Sequence, residues 1–334
     1  MPTQSFEDTQ HRALKAIADP LLPRFDRLVR TYVLLNAALF TAMFVELVLL
    51  LFFFTFLAKS ALLAFGLALF FLTIFSYFML RLYYQTAKPQ QLQEIVDQFV
   101  ANYKTLYAYR EDQPEHARAL ASACVHLSDQ LIGKETQYYP PPAPFVFATP
   151  YLEKMSSWCH WQDVHRMREL LVQASIEQHL HLVRQQPTNL VIHATLANAY
   201  LLLAELYLLP ASSPLDSLDT YKQTLPAKFI STSEKAIEEF KIMKEYDAKD
   251  PAPYLHLAAI YHDLKRPLEE IAEYEALLQL DPANQEILYK LGCRYFDEGM
   301  NGKGLRIYES LRQSHYKKAD LLIQKYGSGS LTLS

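Results

Sequence analysis

Glycine and cysteine are scarce in this chain of 334 residues, which contains 8 glycines and 3 cysteines. Scarce glycine disfavours strand-and-turn architectures and phosphate-binding loops, because both depend on the positive φ angles that glycine adopts easily. Cys124, Cys159 and Cys293 are odd in number, lie far apart and include no CxxC pair. This pattern predicts free thiols in a reducing compartment.

Excess positive charge and catalytic motifs are also missing. The net charge is −4 and the isoelectric point is about 6.3, whereas nucleic-acid-binding domains are usually distinctly basic. No GxSxG, HExxH, GxGxxG or Walker pattern occurs. Residues 158–165, WCHWQDVH, place one cysteine among histidines, but zinc ligands normally occur in closely spaced pairs. The sequence therefore predicts no enzyme, no cofactor, no metal site and no nucleic-acid partner.

Long apolar runs, in contrast, are present. Two of them lie next to each other, at about residues 32–57 and 61–82. As a helix, each is long enough to cross a hydrocarbon layer of about 30 Å, which needs about 20 residues. We therefore predict a transmembrane helical hairpin at residues 31–83. The alternative is a pair of buried helices in a soluble core, which would have to hide two adjacent runs with few polar breaks.

The polar residues inside the hairpin that we single out are Asn36, Glu46, Thr73 and Ser76. If the turn is centred near Lys59, antiparallel pairing brings Glu46 within reach of the Thr73 or Ser76 hydroxyl. An acidic residue at membrane depth marks a candidate functional site. A single carboxylate makes a poor ion path, however, so a contact between helices or between protomers is the alternative that we favour.

Charge around the hairpin predicts its orientation. Residues 1–30 are amphipathic and become basic towards the first run, basic residues follow the second run, and the connecting turn holds only Lys59. The positive-inside tendency then predicts an integral protein of the plasma or inner membrane with both termini cytoplasmic. The apolar face of residues 1–30 predicts an interfacial helix that is interrupted around Pro20 and Pro23.

Two helical segments and a proline-rich stretch follow. Residues 89–135 carry apolar residues at helical spacing, which predicts membrane-proximal helices. Residues 136–150, TQYYPPPAPFVFATP, favour an extended path because proline prevents helix formation. We interpret this stretch as a rigid linker, and a ligand motif for an SH3-type domain is the alternative.

Internal periodicity organises the distal half of the chain. Residues 251–284 read PAPYLHLAAIYHDLKRPLEEIAEYEALLQLDPAN, and the next unit starts at Gln285. Each unit contains two segments with small, apolar and aromatic residues at helical spacing. This pattern resembles the tetratricopeptide repeat (TPR), a helix-turn-helix unit of about 34 residues that stacks into an α-solenoid.

Further matches extend this resemblance upstream. Residues 190–247 match a third repeat, which would contain an insertion at residues 209–230, and residues 153–187 give the weakest match. The resemblance therefore implies an all-α chain with a TPR-like solenoid at residues 151–326 and a disordered tail at 327–334.

Some residues depart from the TPR pattern or extend it. Lys265 replaces the turn glycine, and Glu270 occupies a position where the family has a small residue. Residues 317–326 resemble a capping helix. We expect Trp158 and Trp161 to be packing aromatics of the first, degenerate repeat.

The resemblance also implies a binding surface, because TPR proteins bind partners in a groove lined by the first helix of each repeat. Only Asn198 fits the Lys-, Asn- and Arg-rich clamp with which part of the family holds an acidic C terminus. We therefore expect a protein partner that offers a helix or an extended apolar segment. The alternative is that several of the groove positions pack against the insertion or the membrane-proximal helices. The implied groove positions are Val191, Ala194, Asn198, Leu201, Leu202, Ala252, Leu255, Ala259, His262, Asp263, Glu286, Tyr289, Cys293, Phe296 and Asp297.

Two functions agree with these features. The first is a membrane-anchored adaptor or scaffold, whose hairpin holds the repeats next to the bilayer while their groove recruits a partner on the cytoplasmic side. The second places the activity in the hairpin, as a bilayer-shaping or oligomerising element, or makes the chain a structural subunit of a larger membrane complex that assembles through the repeats.

Overall fold

The computed structural model describes residues 2–54, 62–106, 109–110, 113–140, 146–147, 149–208 and 220–329, and it contains no strand among them. The all-α prediction is therefore confirmed for these residues. The first helices are α1 (Pro2–Phe52), α2 (Leu62–Leu106), α3 (Pro114–Gln130) and α4 (Thr149–Gln185), with a short 3₁₀ helix at Lys134–Thr136. The others are α5 (Leu190–Tyr207), α6 (Thr220–Tyr246), α7 (Ala252–Asp263), α8 (Pro267–Leu280), α9 (Gln285–Asp297), α10 (Asn301–Gln313) and α11 (Ala319–Gly329). The chain divides into two compact units, Met1–Gln178 and His179–Ser334.

In the first unit, α1 and α2 pack against each other as an antiparallel pair. Contacts join them from the core of the unit to Leu50 and Gly66, and the turn predicted near Lys59 falls on residues 55–61, outside the described part of the chain. The contacting pairs are Arg24 with Gln98, Tyr32 with Tyr84, Phe40 with Tyr77, Glu46 with Thr73 and Leu50 with Gly66. This register agrees with the turn that the sequence predicts near Lys59.

Within the described part of the chain, three helices are long and apolar enough to cross a membrane, as judged by length and composition: α1, α2 and α5. They differ in how much of their apolar stretch the protein covers. The most apolar windows of α1 and α2 are 0% and 6% buried, whereas that of α5 is 56% buried. The helices α1 and α2 thus expose the surface that a membrane would cover, and α5 is largely a packing helix.

The core of the first unit lies where α1 and α2 extend beyond the apolar runs and meet α3 and α4. Phe25 of α1 and Leu120, Leu127 and Met167 of α3 and α4 are fully buried there. The predicted interruption around Pro20 and Pro23 is wrong, because α1 is continuous. A proline inside a helix costs about 3 kcal/mol, and the burial of apolar side chains such as Phe25 offsets a cost of this size.

The second apolar run and the first membrane-proximal helix are likewise one element. Helix α2 continues through Pro89 to Leu106. Beyond Pro89 its side chains Leu92, Val96 and Phe99 are buried in the core. The exposed apolar part of α2 and the part that is buried in the core of the first unit therefore form one continuous helix.

The weakest predicted repeat is wrong. Residues 153–187 do not form a helix-turn-helix, because α4 runs as one helix from Thr149 to Gln185. The sequence contains no glycine or proline between Tyr151 and Gln186 that could end a first helix. Much of α4 packs in the first unit through Val164 and Met167, so the first unit extends past the predicted boundary at residue 151.

The second unit consists of helix pairs, α5 with α6, α7 with α8 and α9 with α10, followed by α11. The last two pairs lie where residues 251–284 and the unit from Gln285 predict them. Residues 209–219 of the predicted insertion lie outside the described residues, and its remainder begins α6, which includes Pro226. Helix α11 extends to Gly329, into the segment that was predicted to be a disordered tail.

Similar turns follow α7, α9 and α10. Each places one residue in the left-handed region, namely Lys265 (φ 56°), Gly299 (φ 70°) and His315 (φ 55°). The next residue then donates its N–H to the carbonyl five residues earlier, as Arg266 does to Tyr261 at 2.8 Å. This is the Schellman arrangement that ends many helices. Lys265 therefore adopts the backbone conformation of the glycine that it replaces.

Candidate functional site

The groove positions on α5 and α7 form the most open part of the implied binding surface. Val191 and Leu255 are 63% and 41% exposed, and Asn198 and Ala259 are exposed as well. They point outward, because the opposite faces of the same helices hold buried core residues such as Leu196. The remaining positions are the half-buried Ala194, Leu201 and Leu202 and the exposed Ala252, His262 and Asp263. We call the apolar part of this set, with Asn198, the open surface: Val191, Ala194, Asn198, Leu201, Leu202, Leu255 and Ala259.

Charged side chains gather where α7 ends. Glu270 of α8 is 3% exposed and accepts a hydrogen bond from Arg294 Nε of α9 at 2.8 Å. His262 Nδ1 lies 3.4 Å from the other carboxylate oxygen of Glu270. Burial and the nearby carboxylates of Asp297 and Asp263 raise the pKa of Glu270 to about 7. The partner Arg294 explains how glutamate is accommodated where the TPR pattern has a small residue.

The C-terminal part of the chain contacts the groove positions on α9 and covers the apolar ones among them. Phe296 is buried, and a Cβ added to Gly304 would lie 2.5 Å from its ring. Cys293 is half-buried in the same apolar cluster. The contacting pairs are Glu286 with Lys318 (2.8 Å), Asp297 with Lys325 (2.7 Å), Tyr289 with Tyr316 (6.3 Å between ring centres) and Phe296 with Tyr326 (5.3 Å between ring centres). Tyr289, Cys293 and Phe296 therefore serve packing, whereas Glu286 and Asp297 stay exposed and form surface ion pairs with Lys318 and Lys325.

The polar residues of the hairpin differ in what they contact. Thr73 Oγ1 donates a hydrogen bond to Glu46 Oε1 at 2.9 Å, as the predicted register requires. The other carboxylate oxygen of Glu46 is buried and has no hydrogen-bond partner among the described residues. The Asn36 side chain forms a hydrogen bond with Tyr139, and Ser76 is half-buried.

A polar cluster at the base of the hairpin has no counterpart in the sequence prediction. Lys88 Nζ of α2 lies 2.8 Å from Asp163 Oδ2 of α4 and 4.3 Å from the centre of the Tyr32 ring. Burial opposes the ionisation of Asp163, but the contacts with His160 and Lys88 outweigh it and lower the pKa of Asp163. Lys88 and Asp163 are far apart in the chain, so no local pattern could have indicated that they meet.

Residues 158–165 contribute to packing and to an exposed face. Trp161 stacks on His165 with 4.4 Å between ring centres, while Trp158 is 65% exposed. The prediction that both tryptophans are packing aromatics is therefore wrong for Trp158. Among the described residues, no group of three or more His, Cys, Asp or Glu side chains could hold a metal ion.

Comparisons with known proteins identify no family for this chain. No protein-family model matches the chain, and no curated protein matches its sequence. One solved structure that matches is a thermophilic TPR protein from Thermus thermophilus, with 18% sequence identity and a TM-score of 0.32. The match covers 63% of this chain and 99% of that one. The repeating helix pairs and the turns that end their helices identify the second unit as a stack of TPR-like helix pairs.

Proposed function

We propose that the protein is a membrane-anchored adaptor. In this proposal, α1 and α2 cross the membrane as a hairpin, both termini are cytoplasmic, and the open surface of the second unit binds a partner protein. The observation that carries the proposal is the lack of protein cover on the hairpin, whose most apolar windows are 0% and 6% buried. Exposed apolar surface of this extent is stable in lipid but not in water.

The chemistry of the open surface indicates the kind of partner. Val191, Leu255 and Ala259 offer apolar contacts, while Asn198 can bond to a peptide backbone. At the end of α7, the carboxylates of Asp263 and Asp297 lie near Glu270, which pairs with Arg294, so that acidic groups are in excess. An apolar segment that carries a basic residue fits this combination best. Anchoring both proteins in one membrane raises their local concentration, so that a modest affinity is sufficient.

Photo-crosslinking in native membranes tests the adaptor function. A photoreactive amino acid at Leu255 should form a crosslink to the same partner as one at Val191. The matched control is Ala272, which is exposed on α8 and belongs to no groove position. Equal crosslinking at Ala272 would show that the open surface is not the binding site.

Charge substitutions provide the complementary test. Val191→Glu with Leu255→Glu should abolish capture of the crosslinked partner, whereas Ala272→Glu should leave it intact. Both variants should remain in the membrane after alkaline extraction, because the hairpin is unchanged. Tyr289 and Phe296 are unsuitable for this purpose, since their substitution would disturb the packing of α11.

A second candidate function rests on Glu46. One oxygen of its carboxylate is buried without a hydrogen-bond partner among the described residues, and a polar group in hydrocarbon gains from a partner on a neighbouring helix. Because this oxygen is covered within one copy, the Glu46 side chain would have to turn outward for the hairpins of two copies to meet there. Glu46→Ala should then shift a crosslinked dimer to monomer, and an unchanged dimer fraction would exclude this contact.

A further inference from the structure

The N-terminal turns of α4 expose a row of large apolar side chains. Tyr151, Met155 and Trp158 are 76%, 42% and 65% exposed. Their spacing of four and three residues places them on one face of the helix. The buried Ser156 and His160 lie on the opposite face. We call the surface formed by Tyr151, Met155 and Trp158 the aromatic face; Val146 and Phe147, which precede the helix, are exposed as well.

The position of this face along the hairpin follows from contacts further up the helix. Helices α2 and α4 run parallel, because Lys88 pairs with Asp163 and the later residues of both helices line a shared cleft of about 310 Å³. Each helix rises about 1.5 Å per residue. Counting back from the Lys88 pair, Trp158 therefore lies level with about residue 83 of α2, and Tyr151 lies level with about residue 76.

Contacts through Tyr139 place the same region of α4 beside the apolar runs. The Tyr139 hydroxyl lies 3.3 Å from His160 Nε2 of α4. It also forms a hydrogen bond with the side chain of Asn36, which lies inside the first apolar run. Two independent observations, the helix register and this contact, thus bring the start of α4 to the cytoplasmic end of the predicted spans.

We propose that the aromatic face of α4 lies in the headgroup region of the bilayer, as an interfacial third membrane contact beside the hairpin. The inference rests on the proposed membrane anchor. Tryptophan and tyrosine are enriched at this depth because their rings are apolar and carry one polar group. Lys154, at the edge of the face, can extend its ammonium group to the headgroups. Glu153 projects from the opposite side of the helix, away from the lipid.

Such a contact fixes the first unit against the membrane surface. The hairpin alone would leave α4 free to tilt with respect to the bilayer, whereas a third contact would restrict that tilt. Burial of these apolar side chains in the interface adds to the membrane affinity that the hairpin supplies.

Tryptophan fluorescence tests this position directly, because the chain contains only 2 tryptophans. In Trp161→Phe, Trp158 is the single emitter. The full-length variant is reconstituted into phosphatidylcholine vesicles that contain lipids brominated either near the headgroup or near the chain end. Shallow bromine should quench Trp158 by about half, and deep bromine should quench it less. Trp158→Phe, in which Trp161 remains stacked on His165, is the control and should be quenched much less.

The possible results separate the two proposals. Flotation of the vesicles after alkaline extraction reports insertion of the hairpin independently of Trp158. Protein that floats while Trp158 is unquenched by bromine and quenched by aqueous iodide rejects the interfacial contact and keeps the anchor. Protein in which Trp158 is shielded from both quenchers indicates cover by another protein surface, which also rejects the contact. Protein that does not float rejects the anchor and this inference together.

Discussion

Lys265 shows how the geometry of the repeat determines the backbone conformation of a single residue. It occupies the left-handed region at φ 56°, as Gly299 does at φ 70° in the next turn. The left-handed conformation costs a residue with a side chain about 1–2 kcal/mol, and glycine avoids most of this cost. Lys265→Gly should therefore stabilise the α7–α8 pair by about 1 kcal/mol, as measured by hydrogen exchange of its peptides.

Gly299→Ala provides the matched reverse change. A Cβ at Gly299 would meet no atom within 4 Å, so the substitution isolates backbone strain from steric clash. It should destabilise the α9–α10 pair by about 1 kcal/mol. If neither variant changes exchange, the left-handed turns carry no strain.

His193 gives the second unit a pH dependence. Its Nδ1 lies 2.6 Å from Glu239 Oε2 and its Nε2 lies 2.9 Å from the Pro187 carbonyl. Burial opposes the charged imidazolium, but the hydrogen bonds to Glu239 and to the Pro187 carbonyl outweigh it and raise the pKa of His193. A raised folded-state pKa means that the folded state holds its proton more tightly than the unfolded state.

The stabilisation from His193 should therefore be complete below the unfolded pKa of about 6.5 and be lost as the pH rises through the higher folded pKa. In thermal unfolding, the melting temperature should therefore fall as the pH rises through the folded-state pKa of His193. His193→Gln should remove this part of the fall. His256→Gln is the control, since burial lowers the pKa of His256. A decline that persists unchanged in His193→Gln would contradict the assignment.

At the scale of the element, α11 acts as the cover of the last repeat. Leu322 is fully buried beside Gly292 and Phe296, whereas its neighbour Leu321 is 53% exposed. Leu322→Ala should destabilise the α9–α11 cluster by about 2–5 kcal/mol, the usual cost of truncating a buried leucine. Leu321→Ala should have almost no effect. Limited proteolysis should reveal faster cleavage in α9 and α10 only for the first variant.

The long helices show where packing overrides local sequence signals. Pro20, Pro23 and Pro89 predict helix ends, yet α1 and α2 pass through all three. A proline is tolerated within a helix when a core holds the neighbouring turns in place. Phe25 follows Pro20 and Pro23 closely, Leu92 follows Pro89 closely, and both are buried. Helix α4 is the opposite case, because no glycine or proline lies between Tyr151 and Gln186 and the local sequence itself favours one continuous helix.

At the scale of the whole molecule, the adaptor proposal separates anchoring from binding. Replacing residues 31–83 by an unrelated two-span hairpin should preserve both membrane insertion and capture of the partner, because the open surface lies entirely in the second unit. Alkaline extraction and photo-crosslinking at Leu255 would measure the two properties in one preparation. Loss of capture despite normal insertion would place the function in the hairpin itself.

The sequence by itself determined the features that are encoded locally or periodically. Hydropathy over about 20 residues predicted the two apolar runs, and the repeat period predicted the α7–α8 and α9–α10 pairs. The groove positions could be named from the resemblance, but which of them are open could not, because that depends on the docking of α11.

Only the tertiary structure decided the contacts between residues that are distant in the chain. These include the Lys88–Asp163 pair, the cover on Phe296 and the exposed aromatic face around Trp158. The physical reason is that burial and ion pairing depend on the neighbours that packing brings together, whereas hydropathy and periodicity describe each segment alone.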